Sequence, residues 1–305
     1  MQYAKSVISA IQPRTLFASA LPVLLTIALL WESPAYSVSF VDVDALSAVA
    51  IAVLVQMLAN LNAVYGNFHR VFQPLKIRKA NTDPENKIVI NLLSQTSVTR
   101  WSGLYYVLVL VLLAVSHFVK HKENHVTGAI SMLVSVAFYY CRSGRSLPIV
   151  GLEEMLFAAT TGPITMLATA YLLVGELPWR VIFYSFPVAN FVMAFTIAKS
   201  AKDAPFARRM GATTKSLALR LDFQLSYQFF LLLAALSYVM LFLLGMLMGH
   251  LGNFVLLATI TNLKDISEDF RNEQLDELPA KMAKLGGTLG FGLIVSIMIC
   301  GFFLY

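Results

Sequence analysis

The chain has 305 residues, is 58% hydrophobic and only 13% charged. That composition excludes an ordinary soluble domain, because repeated windows of about 20 apolar residues have the length that crosses a bilayer core. The net charge of +6 is no nucleic-acid signature, since the basic residues collect in particular loops. The expected class is an all-α polytopic membrane bundle, and nucleic acid is not an expected partner.

Nine candidate spans follow in chain order, at 15–31, 44–65, 101–119, 126–141, 152–174, 178–198, 223–243, 246–262 and 286–304. The first is not a removable signal. It follows "SAIQPRTL", contains a proline, and leads into no small-residue cleavage pattern. Odd parity puts the termini on opposite sides. With the N-terminus inside, the inner segments hold 20 of the 23 basic residues. The outer side keeps Lys120, Lys122 and Arg180, with acids such as Glu32, Asp42 and Asp44. That asymmetry predicts a cytoplasmic N-terminus. Three inner loops are expected to be long and polar, at 66–100, 199–222 and 263–285. The whole of 1–305 reads as one transmembrane domain without a soluble module. Cys141 and Cys300 are far apart and give neither a disulfide framework nor zinc spacing.

Four stretches carry a further reading. A proline-arginine pair opens the first span in "AIQPRTLFASALPVLLTIAL", and the second span ends in "MLANLNAVYGNF". The fourth ends in "YYCRSGRSLPIVGLEE", and the sixth runs through "FPVANFVMAFTIAKSAKDAPFARRMGATTKSLALRLD". In order and spacing, over nearly the whole chain, they resemble the UbiA superfamily of intramembrane prenyltransferases. The MenA-like branch, which attaches a prenyl chain to a naphthoate, is the nearest in look. The resemblance implies a central lipophilic cavity open laterally or to the inner face. It also implies two aspartate-rich motifs, at the inner ends of spans two and six, that hold Mg²⁺ against a prenyl diphosphate. Diphosphate leaves as an anion when the allylic carbon ionises, so metal ions and Lys or Arg must stabilise the developing charge.

The sequence departs from the family at both motifs. In the first, Asn60 is present, but Val64 and Asn67 stand where acids are expected. An amide oxygen can ligate a cation but brings no charge, and valine brings nothing. In the second, Asp203 matches the first acid, Ala207 replaces the second, Arg208 follows as expected, and Lys199 takes the place of a usual asparagine. One carboxylate of four remains, which argues against ordinary Mg²⁺-dependent transfer. The same segment is dense in cations, with Lys199, Lys202, Arg208, Arg209 and Lys215. They read as binding groups for a phosphorylated or carboxylated substrate, or as a positive-inside anchor beside anionic headgroups. Arg142 and Arg145 in "CRSGRSLP" carry the same two readings.

The run "TNLKDISEDF" after the eighth span sets Asp265 and Asp269 four residues apart, on one face of a helix. The pair is a candidate cation site at the cavity mouth, with Asp203 the other metal candidate. The plain alternative is a solvated acidic helix end. Asp203, His69 and Lys199 are the candidates for handling protons; His69 follows the first motif and is otherwise an interfacial residue. Cys141 is better read as a small buried thiol than as a nucleophile, and Asn190 as a packing amide.

Three functions fit these residues. One is a divergent transferase acting on an isoprenoid-type substrate. Another keeps the cavity but changes to Mg²⁺-independent chemistry, such as cyclisation or condensation of a lipophilic acyl or carrier-bound substrate. The third is a non-catalytic lipid- or quinone-binding partner of a biosynthetic membrane protein. A bacterial inner membrane is the expected location.

Overall fold

The computed structural model describes residues 7–8, 10–11, 13–67, 95–120, 127–128, 130–132, 134–135, 150–209 and 217–304. Every regular element among them is helical. The helices are α1 Pro13–Glu32, α2 Val43–Asn67, α3 Gln95–Lys120, α4 Leu152–Ala159, α5 Thr165–Val174, α6 Trp179–Arg209, α7 Leu217–Arg220, α8 Phe223–Met248, α9 Ile260–Arg271 and α10 Leu278–Leu304. A π-helical turn, Thr160–Ile164, joins α4 to α5, and a 3-10 helix, Leu251–Thr259, precedes α9. Among the described residues six helices are long and apolar enough to span a membrane, and Ser19–Glu32 is a shorter apolar helix. The expected span at 126–141 lies largely outside the described residues.

Two compact units divide the chain: Met1–Ala20 with Leu46–Arg145, and Leu21–Ala45 with Ser146–Tyr305. In the first, Val7, Ala10, Ile11, Leu61 and Val98 form a buried cluster, with Leu16, Met57, Trp101 and Tyr105 packed against it. In the second, a continuous core runs from Leu21 and Leu25 through Tyr184, Ile197 and Phe230 to Phe270, Met282 and Ile297. Outward-facing Leu225, Leu232, Phe242, Leu243 and Leu247 leave α8 apolar on its exposed face as well. A helix that is apolar all round suits lipid rather than water.

The kinked span from Glu154 to Val174 follows from Pro163, which has no N–H to donate and whose ring crowds the preceding turn. Neighbouring hydroxyls bond back onto carbonyls of the same turns. Thr160 Oγ1 donates to the Leu156 and Phe157 carbonyls at 2.8 and 3.0 Å, and Thr165 Oγ1 donates to the Thr160 carbonyl. Gly162 fits here because the backbone of Ala189 on α6 lies 3.1 Å from where a Cβ would be.

The polar loops are shorter than the sequence suggests. α6 continues past the apolar stretch to Arg209, so the expected loop 199–222 begins as helix. α3 starts at Gln95, inside the expected loop 66–100. The expected loop 263–285 is mostly helical, and the expected span 246–262 is not one helix. α8 stops at Gly249, whose φ of 75° ends the helix in a left-handed turn. The chain then continues as the 3-10 helix and α9. Leu263, Ile266 and Phe270 recur at helical spacing and are buried, while Lys264, Asp265 and Glu268 are exposed. Charge density disguised this amphipathic helix as a loop. A turn at Glu273, with φ of 59°, leads into α10.

Candidate functional site

α6 carries the centre of the candidate site. Its last turns hold Lys199, Lys202 and Asp203, at i, i+3 and i+4, hence on one face. Lys199 and Asp203 are exposed and Lys202 is half-buried. Arg208 and Arg209 lie on the final turn of the same helix. The Asp203 end of the second unit also receives the start of α4, the start of α8 and the end of α9. Phe270 of α9 packs its ring against Phe223, Tyr227 and Phe230 of α8, at centroid distances of 5.1 to 5.7 Å. Ser267 shares a 3.0 Å hydrogen bond with the Tyr227 hydroxyl. Asp265 and Asp269 therefore belong to this end of the unit. Asp269 is already engaged, accepting a 2.5 Å contact from Lys281 Nζ of α10, while Asp265 is exposed.

The first-motif residues belong to the other unit. Asn60 Nδ2 donates to the Ile11 carbonyl at 2.6 Å, and its Oδ1 accepts from Gln56 Nε2 at 2.9 Å. Asn60 therefore helps join α2 to the N-terminal segment. Two residues on, Asn62 is 1% exposed; its Oδ1 accepts from Ser102 Oγ of α3 at 3.0 Å, and its Nδ2 is buried without an acceptor. The sequence reading passed over Asn62. Its unpaired donor makes it the more unusual amide of the two. Asn67 lies on the last turn of α2. His69, Cys141, Arg142, Arg145 and Lys215 lie outside the described residues. Asn190 is half-buried and its Nδ2 meets Met240 Sδ at 3.4 Å, a contact between α6 and α8.

A pair of Mg²⁺ ions would need several carboxylates at hand. The second motif supplies Asp203, and the first supplies none, with Val64 and Asn67 in the acidic places. Among the described residues no three His, Cys, Asp or Glu side chains come together as a metal site. Among the described residues of the two motifs, Asp203 is the carboxylate present, where a two-ion centre needs several.

The opposite end of the second unit holds a polar cluster that sequence reasoning missed. Glu32, Tyr184, His250, Asn253 and Ser296 come from five segments and are all at most 4% exposed. Both Glu32 oxygens lie within 2.9 Å of His250 Nε2, and Tyr184 Oη lies 2.5 Å from His250 Nδ1. Asn253 Nδ2 donates to Tyr184 Oη at 2.9 Å, and Ser296 Oγ donates to Asn253 Oδ1 at 3.0 Å. One assignment satisfies every partner: His250 donates from Nε2 to the carboxylate and accepts at Nδ1 from the tyrosine. Arg180 Nη1 reaches Glu32 at 3.4 Å from a cavity of about 210 Å³ lined in part by Ser33, Tyr36 and Trp179. Beside it, desolvation and a 3.2 Å hydrogen bond to Glu176 hold the Tyr36 phenol above its ordinary pKa.

No family model matches the chain. Over 299 residues it is 23% identical to the UbiA prenyltransferase domain-containing protein 1 of Xenopus tropicalis, covering 98% of this chain and 83% of that protein. The apo structure of a UbiA homologue from Aeropyrum pernix K1 matches with a TM-score of 0.64 at 17% identity, covering 92% of this chain and 97% of that one. A UbiA homologue from Archaeoglobus fulgidus, solved bound to DMAPP and Mg²⁺, matches with a TM-score of 0.63 at 11% identity, covering 95% and 99%. Along nearly its full length the chain is similar to UbiA prenyltransferase domain-containing proteins, and its fold is that of the UbiA homologues.

Proposed function

We propose that this chain is a divergent UbiA-type membrane transferase acting on an isoprenoid-type substrate with a diphosphate leaving group. The observation that carries the reading is the face of α6 that presents Lys199, Lys202 and Asp203 together at one end of the unit. A prenyl diphosphate has an apolar tail that suits a membrane bundle and an anionic head that suits lysine and arginine. The names of the curated relatives and the DMAPP held by the Archaeoglobus homologue support the same substrate class.

In this reading Lys199 and Lys202, with Arg208, Arg209 and Lys215 further along, take the charge that grows on the departing diphosphate. In the first unit, Arg142, Arg145, Asn60 and Asn67 are further candidate groups for phosphate. Asp203 orients the cationic face and, with His69, is the candidate for the acceptor's proton. The apolar surroundings shield an allylic cation from water. The chain keeps one acid of the family pattern beside a dense set of cations, so in this reading its own side chains carry much of the charge stabilisation. The branch resembled, MenA-like, points to an aromatic acceptor. The setting we assign is a bacterial inner membrane. The same substitutions favour a second reading, in which the cavity serves Mg²⁺-independent chemistry on a lipophilic acyl substrate.

Binding of a long prenyl diphosphate to the purified protein in detergent, with Mg²⁺ and with a chelator, separates the two. Asp203→Asn is expected to weaken binding about tenfold. If Asp265→Asn/Asp269→Asn abolishes Mg²⁺-dependent binding while Asp203→Asn does not, the α9 acids hold the cation. No binding under any condition overturns the diphosphate reading and leaves the acyl substrate.

A further inference from the structure

Glu154 is a buried carboxylate to which the proposed reaction assigns no task. It lies on the first turn of α4 and is 6% exposed. Its Oε1 accepts from Ser200 Oγ of α6 at 3.2 Å and from the backbone N–H of Leu217, the first residue of α7, at 2.9 Å. Its Oε2 is buried and has no hydrogen-bond partner. A buried oxygen left bare is costly, so its presence calls for a reason.

The two donors mark the reason. Ser200 stands between Lys199 and Lys202, and Leu217 follows Lys215 by two residues. One carboxylate thus ties both ends of the basic segment to α4. Gly151 completes the tie. Its φ of +77° suits glycine, and Leu217 Cδ1 lies 2.8 Å from where a Cβ would stand. Any other residue would be strained at that φ and would crowd the end of the Leu217 side chain. Residues 199–220 hold six cations, Lys199, Lys202, Arg208, Arg209, Lys215 and Arg220, against one acid, Asp203. Cations gathered in one segment repel each other, and an anion set at its root offsets part of that repulsion. A glutamine would offer the same acceptor to both donors but not the charge.

We propose that Glu154 is a positioning residue: its carboxylate pins Ser200 and Leu217, at the two ends of the basic segment, to α4, and so holds Lys199 and Lys202 of α6 in place for a diphosphate-bearing substrate. The substrate part of this statement rests on the transferase reading above; the pinning does not.

The test uses the full-length protein in detergent, with trypsin cleavage after Arg208, Arg209 and Lys215 followed by mass spectrometry. Glu154→Ala is expected to speed cleavage at these three sites at least about fivefold, as local opening becomes easier. Cleavage elsewhere stays at the parent rate. Glu154→Gln keeps the acceptor and is expected to hold cleavage within about twofold of the parent. For prenyl diphosphate turnover, both variants raise KM, about tenfold for alanine and less for glutamine, with kcat within about twofold. Parent-like cleavage in Glu154→Ala overturns the proposal, as does acceleration spread evenly over the chain, which reports general unfolding. If Glu154→Ala does not fold, Ser200→Ala removes one of the two donors and is expected to speed cleavage at the same sites about twofold. No change there overturns the proposal. A parent protein that neither binds nor turns over prenyl diphosphate sinks the transferase reading alone, because the cleavage comparison still decides the role of Glu154.

Discussion

Glu32 and His250 stand 218 positions apart in the chain and touch in the fold. Nothing in the local sequence pairs them, since a lone glutamate at a helix end and a lone histidine after a glycine are both ordinary. Removing His250 strips a buried carboxylate of its Nε2–H donor, and leaving a charged acceptor short of a partner costs more than the about 1–3 kcal/mol of a neutral group. His250→Leu should therefore lower the thermal midpoint in detergent far more than Glu32→Gln, which keeps an acceptor for Nε2 and should cost about 1–3 kcal/mol. Equal midpoints for His250→Leu and the parent would show that the cluster does not hold these helix ends together. The residues named from sequence differ in kind. Asp203 and Lys199 were legible because they sit in a motif with fixed spacing. Glu154 and Asn62 were within quoted motifs but gave no sign of their burial, which only the packing of α4 on α6 and of α2 on α3 creates.

The apolar helices were the readable elements. Their length and composition mark them whatever they pack against, as α8 shows by being apolar on exposed and buried faces alike. α9 was not readable in the same way, because eight of its twelve residues are polar or charged and only Leu263, Ile266 and Phe270 face the core. Its place depends on Phe270, which is fully buried among the rings of Phe223, Tyr227 and Phe230. Phe270→Ala should cost about 3–5 kcal/mol in stability. It should also raise amide exchange across 260–271 ahead of α8, measured by mass spectrometry. Uniform exchange across α8 and α9 would mean that the two open as one unit. The break expected between 243 and 246 lies a few residues later, at Gly249, for a different reason. Hydropathy continues across it, and only the positive φ of that residue stops the helix.

At the scale of the whole molecule, the likeness to the UbiA superfamily lies in motif order over the full chain, while the chemistry depends on single substitutions that order does not report. The sidedness of the bundle also remains a matter of charge. The cations cluster at the Asp203 end of the second unit, whereas Arg180 sits beside Glu32 at the opposite end. The positive-inside bias predicts that the Asp203 end faces the cytoplasm, the side from which the proposed diphosphate substrate would come. An alkaline phosphatase reporter fused after Tyr305 should then be active, and one fused after Gln274, in the turn between α9 and α10, inactive. A fluorescent protein that folds only in the cytoplasm should give the reverse pattern. The opposite result at both positions would turn the bundle over, put Lys199 and Asp203 on the far side of the membrane from that substrate pool, and direct attention to Arg180 and the cavity beside Glu32 as the face exposed to cytoplasmic ligands.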